Sequence, residues 1–171
     1  LFQTRAFVEA RQMSEELIAD LEKSRRTEHQ QVLVGALNNY GLVLMELGEP
    51  DAAERQFKRV IALDPGSVDP YVNLARLNGF RENFQETIDW FDQALAHGPR
   101  HAGLHNHLAL FLRESANRPD LAIPHHLAAI DAEPGNGEYR YYLGMTQLAA
   151  GNLTEAYKAW ELRWTRREGG W

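Results

Sequence analysis

The side chains best suited to chemistry in this 171-residue chain are seven histidines and a few paired acids. His101 and His105 stand at i, i+4, which puts both rings on one helix face, and His125 and His126 are adjacent. Zinc wants a third ligand and a supporting shell, and a catalytic zinc keeps one position open. The i, i+4 pair lacks the accompanying Glu of a metalloprotease helix. His101 is expected in a turn, while His105 and His126 take places where aromatic rings pack, so no metal site is expected. The acid pairs Glu15 with Glu16 and Glu49 with Asp51 read as solvated helix faces and complements to helix N-terminal charge. Gly135-Asn136-Gly137 and Gly169-Gly170 follow helix-like runs and match neither phosphate-loop pattern. No nucleophile elbow occurs, and the absence of cysteine removes thiolate ligands and disulfides. The expectation is a non-catalytic chain with no cofactor.

The elements that would position any functional group are set by a repeat. Pro65, Pro99 and Pro134 each follow a helix-like run, with spacings of 34 and 35 residues. The same landmarks return in each period: Tyr40, Leu74 and Leu108, then Gly41, Ala75 and Ala109, later Phe57 and Phe91, then Val60, Ala94 and Ala129. Within a period, apolar residues recur at helical spacing on both sides of a break such as Gly48-Glu49-Pro50, which reads as helix, turn, helix. Asn83 with Glu86 and Asn152 with Glu155 have the spacing of capping boxes. Gly41, Ala75, Ala109 and Gly144 fall where the paired helices cross closely, and a larger residue there would force them apart at roughly 1 to 3 kcal/mol. The third period departs most. It holds one extra residue around Asn117 to Asp120, and Pro124 falls early in its second helix, with Asp120 read as N-cap. Residues 1 to 33 carry an amphipathic stretch with Phe7, Ala10, Leu17 and Leu21 on one face, and Thr27 with Gln30 reads as the cap of the helix that follows.

Composition narrows the function classes. Hydrophobic residues at 44% and charged ones at 25% suit a folded domain rather than a disordered one. A net charge of -6 argues against a phosphate-tracking surface, so nucleic acid is not an expected partner. No apolar run is long enough to cross a bilayer, and no membrane association is expected. The chain starts at Leu1 without Met or a charged-then-apolar leader, which suggests a portion of a larger protein; a cytoplasmic location is the expectation.

Over about 34 to 170 these landmarks resemble those of tetratricopeptide-repeat proteins, whose period and pattern are a recognised signature. The resemblance implies an all-α fold, a right-handed superhelical solenoid of antiparallel helix pairs. The divisions would be an N-terminal helix at 1–33, from an incomplete upstream repeat or cap, then repeats at 34–67, 68–101, 102–136 and 137–171. It also implies a concave groove, lined by the first helices, that binds a protein or peptide segment. In the first two repeats that groove would include Asn38, Asn39, Asn73, Arg76 and Phe80, with Leu42, Met45 and Asp69. In the last two it would include Asn106, His107, Leu110, Tyr141 and Tyr142, with Arg113 and Met145. Peptide-binding arrays of O-GlcNAc transferases carry asparagine at one groove position of successive repeats. Asn39 and Asn73 match that ladder, while His107 and Tyr142 depart from it. The carboxylate clamp of chaperone-binding arrays is matched only at Asn73. The run Trp160-Glu161-Leu162-Arg163-Trp164 resembles the last repeat of bacterial arrays that precede a glycosyltransferase domain of the O-GlcNAc-transferase type. That resemblance implies a substrate-recruiting array with a catalytic domain on its C-terminal side; a stand-alone assembly scaffold is the alternative, and an RNA-binding helical repeat is the rival that the charge disfavours. The apolar face of the final helix, with Trp171, is expected to pack against that domain or to self-associate.

Overall fold

The computed structural model describes Phe2–Ser24 and Glu28–Trp164, without the side chains of residues 2–5, 28 and 162–164. The Thr27 cap, the Trp164 side chain and Trp171 therefore lie outside the described residues. Among those described, nine helices and no strand form: α1 (Phe2–Ser24), α2 (Glu28–Glu46), α3 (Pro50–Leu63), α4 (Asp69–Phe80), α5 (Phe84–His97), α6 (Ala102–Glu114), α7 (Pro119–Ala132), α8 (Gly137–Ala149) and α9 (Leu153–Trp164). They fall into two units, Leu1–His97 and Gly98–Trp171.

Each helix pair is closed by one left-handed residue. Gly48, Glu82, Asn117 and Gly151 have φ of 75°, 59°, 50° and 81°, and each stands two residues before the next helix begins. Three of these turns carry the long bond of a Schellman cap: Glu49 N–H to Leu44 O, Asn83 N–H to Asn78 O and Asn152 N–H to Gln147 O, at 2.9, 3.0 and 2.8 Å. In the third pair the bond runs one residue further, from Arg118 N–H to Leu112 O at 2.7 Å. The extra residue of that repeat therefore lies between the end of α6 and Asn117, earlier than the sequence suggested. Asp120 is not a cap either. The N-cap is Arg118, with no side-chain cap bond, and Asp120 instead accepts from its Nε at 3.0 Å and Nη2 at 2.8 Å. Pro124 sits inside α7, which continues through it.

Size complementarity sets how each pair closes. Phe57 and Phe91 are buried on the second helices of unit 1, Phe57 against Gly41 of the first helix of its pair, and Ala75 is the buried small residue at the equivalent position of the other first helix. A Cβ on Gly41 would lie 2.8 Å from Phe57 Cζ, and one on Gly144 would lie 2.7 Å from Trp160 Cε2, both inside contact distance. In unit 1, Leu37, Leu44, Ala53, Phe57, Val60, Leu74 and Leu77 form one core, with Ile18 of α1 added to it. On α1, Ile18 is buried and Leu17 is 48% exposed, which corrects the apolar face read from the sequence. At about 100° per residue Ile18 returns to within about 20° of Phe7, whereas Leu17 is about 80° away.

Candidate functional site

Helical periodicity places Asn38, Leu42 and Met45 along one edge of α2 and Asn73, Arg76 and Phe80 along the edge of α4. Asn73 is only 7% exposed, and its Nδ2 donates to Asn38 Oδ1 at 3.0 Å. A buried amide needs a partner, and Asn38, half-buried on α2, supplies one. Asn39 is exposed. The two asparagines of the sequence ladder thus differ in kind, since Asn39 is open to solvent while Asn73 spends a donor tying α2 to α4.

Further along the same edges Met45, Arg76 and Phe80 line a cleft of about 450 Å³, together with Glu46, Gly48, Pro50, Leu77 and Arg81. Phe80 is 76% exposed. The two arginines of the cleft have different fates. Arg81 is bound into the scaffold, through Nη1 to Glu54 Oε2 at 2.6 Å and through Nη2 to Asp51. Lys58 joins the cluster at 2.7 Å, and Lys58 and Arg81 hold the Glu54 carboxyl below its usual range. Arg76 is exposed and has no carboxylate partner among the described residues. The sequence carried no sign of the Arg81 staple, because its partners stand 27 and 30 positions away.

A second polar network fastens α1. Tyr40 donates to Glu15 Oε1 at 2.5 Å, Arg11 Nε reaches the same carboxylate at 3.0 Å, and Arg11 Nη1 reaches Glu49 at 2.6 Å. Burial and then the Glu15 carboxylate push the Tyr40 phenol up to about 12. The Tyr40 and Arg11 hydrogen bonds hold Glu15 below the usual range. This network serves packing.

In unit 2 the corresponding edges of α6 and α8 are richer in aromatics. Asn106 is buried, His107 exposed and Leu110 half-buried. Tyr141 is 38% exposed and meets Tyr142 edge-on at 5.6 Å. Behind them His126 of α7 stacks on Tyr142 at 6.3 Å. His126 takes the place held by Phe57, Phe91 and Trp160 in the other pairs and is fully buried, with neither ring nitrogen bonded. Burial, followed by the charges of Arg113 and His125, lowers its pKa to about 4. His105 takes over a tyrosine contact: its Nε2 meets the Pro99 carbonyl at 3.0 Å, as the Tyr71 hydroxyl meets that of Pro65 at 3.1 Å. No three His, Asp or Glu side chains gather as metal ligands among the described residues. No described helix is long and apolar enough to cross a membrane.

Family models described as tetratricopeptide repeat match residues 34–67 and 112–170, together more than half of the chain. The chain belongs to the tetratricopeptide-repeat family. Solved structures agree on the all-α helical-repeat solenoid class. A crystal structure of MamA is 24% identical over 88% of this chain and 86% of its own, with a TM-score of 0.68. PilF of Pseudomonas aeruginosa is 21% identical over 82% and 64%, with a TM-score of 0.69. YrrB, described as a tetratricopeptide-repeat protein with an unusual peptide-binding site, is 23% identical over 78% and 69%, with a TM-score of 0.61. A comparison with curated proteins gives no match. In tetratricopeptide terms, the cleft of unit 1 lies on the first helices of two successive repeats.

Proposed function

We propose that this repeat protein is a non-catalytic scaffold that holds an extended segment of a partner protein against its first helices, with the α2–α4 cleft of unit 1 as the anchor. The observation that carries the reading is the exposed Phe80 beside Arg76, which has no carboxylate partner among the described residues, in a cleft of about 450 Å³. An aromatic ring and a guanidinium in one recess are the groups that dominate binding at protein interfaces. They suit a segment with a carboxylate close to an apolar side chain, the carboxylate on Arg76 and the apolar group on Met45 and Phe80. Asn39 adds an exposed amide able to donate to and accept from a peptide backbone. The fold shared with YrrB, whose description names a peptide-binding site, supports the same reading.

The test is selection from a random-peptide display library on the full chain, repeated with the Arg76→Ala/Phe80→Ala double variant. Peptides pairing an acidic with an apolar residue should be enriched, and the variant should bind them at least tenfold more weakly with an unchanged melting curve. Enriched peptides that bind both proteins alike would move the anchor elsewhere. A role as the recruiting array of a glycosyltransferase-like domain has the run Trp160 to Trp164 as its support, and the reading frame beyond Trp171 decides it.

A further inference from the structure

His105 and His125 come from neighbouring helices of unit 2, twenty positions apart, and their Nδ1 atoms face each other at 3.1 Å. The rings are stacked with centroids 5.4 Å apart, and both residues are half-buried. The other nitrogen of His105, Nε2, lies 3.0 Å from the Pro99 carbonyl oxygen. A carbonyl only accepts, so Nε2 carries the proton and Nδ1 keeps its lone pair. In the neutral pair, His125 must then supply the proton that bridges the two rings. Histidines that bind metals usually donate their other ring N–H to a carbonyl or carboxylate, which fixes the tautomer and the ring plane. His105 already has that support. Two imidazole nitrogens at about 2.0–2.1 Å from one ion sit about 2.9 Å apart in a square-planar or tetragonal field and about 3.3 Å apart in a tetrahedral one, so the observed separation lies between the two and needs to change by only about 0.2 Å for either.

We infer that His105 and His125 form a two-imidazole site for a divalent transition-metal ion, bound through both Nδ1 atoms in place of the shared proton. On binding, the proton leaves Nδ1 of His125 and the ring takes its Nε2–H tautomer, so the neutral pair keeps its proton count. Water completes the coordination, since no third His, Asp or Glu joins them among the described residues. Imidazole ligands and the Irving–Williams order place copper(II) ahead of nickel(II). His101, the sequence neighbour at i, i+4, is committed elsewhere: its Nδ1 accepts from Leu104 N–H at 3.2 Å and caps α6. The ion would clamp α6 to α7, the pair whose turn is one residue longer than the others, and stabilise the folded chain by mass action.

The experiment titrates the full chain with copper(II), and separately nickel(II), followed by calorimetry, melting and, for copper, electron paramagnetic resonance. One tight ion per chain is expected, with two imidazole nitrogens in the copper spectrum and a melting temperature that rises with metal and returns with chelator. His125→Gln should weaken binding at least tenfold, and His101→Ala should leave it unchanged. A single-nitrogen spectrum in the unaltered protein overturns the assignment. Wild-type affinity in His125→Gln overturns it too, as does loss of binding in His101→Ala. The spectrum of the unaltered protein keeps the test valid if a variant folds poorly.

Discussion

His126 makes unit 2 sensitive to acid, and the size of the effect follows from its surroundings. The ring is fully buried and unbonded, and its pKa falls from the ordinary 6.5 to about 4. Between those values the unfolded chain binds a proton that the folded chain refuses, so stability rises with pH across that window. The contribution is complete above about pH 6.5 and is lost as pH falls toward 4. The full difference is worth about 3 kcal/mol, of which about 2 kcal/mol is gone at pH 5. Electrostatic repulsion from Arg113 and His125 acts in the same direction as burial. Hydrogen exchange at pH 7 and pH 5 should show α6 and α7 losing protection first. The control is His126→Phe, which installs the ring used by the two pairs of unit 1. It should remove most of the pH dependence in this window and raise stability at pH 5, because an unsatisfied polar ring leaves the core. If His126→Phe retains the wild-type pH dependence, or if protection falls evenly over all helices, the account of His126 is wrong.

Three further outcomes follow from packing. Gly144→Ala should cost about 1 to 3 kcal/mol by pressing a methyl into Trp160, and adding Trp160→Phe should recover much of it, because Ala75 and Phe91 form that combination in the second pair; urea unfolding of the single and double variants measures both. Glu82→Gly should stabilise by about 0.5 to 1 kcal/mol, since relief of the left-handed strain at φ 59° exceeds the added freedom of the unfolded chain; an unchanged or lower denaturation midpoint would contradict this. Tyr40→Phe should cost about 1 kcal/mol near neutral pH by removing the bond to Glu15. In the unaltered chain, stability should fall as pH rises from 10 toward 12, where the unfolded phenol ionises and the folded one does not; ultraviolet titration of the tyrosines against the Tyr40→Phe variant follows it.

The periodic parts of this protein were legible as sequence. A period of 34 residues marked by proline, a small residue and a later aromatic is enough to place helix pairs, because each landmark answers a local requirement of turn, close approach or core. The alternation of Gly41, Ala75, Ala109 and Gly144 against Phe57, Phe91, His126 and Trp160 is the clearest case. The meeting of polar groups was not legible. Asn39 and Asn73 share a repeat position, yet one is open and the other is held by Asn38 on the neighbouring helix. His105 stands four residues from His101 and twenty from His125, and it is His125 that it meets. Arg76 and Arg81 lie five residues apart, and among the described residues it is Arg81 that finds carboxylates. A sequence period describes one helix at a time, and each residue turns the side chain by about 100°. Which groups face each other across two helices depends on the rotation and offset of both, so packing alone decided the exposed arginine, the tied asparagine and the paired histidines.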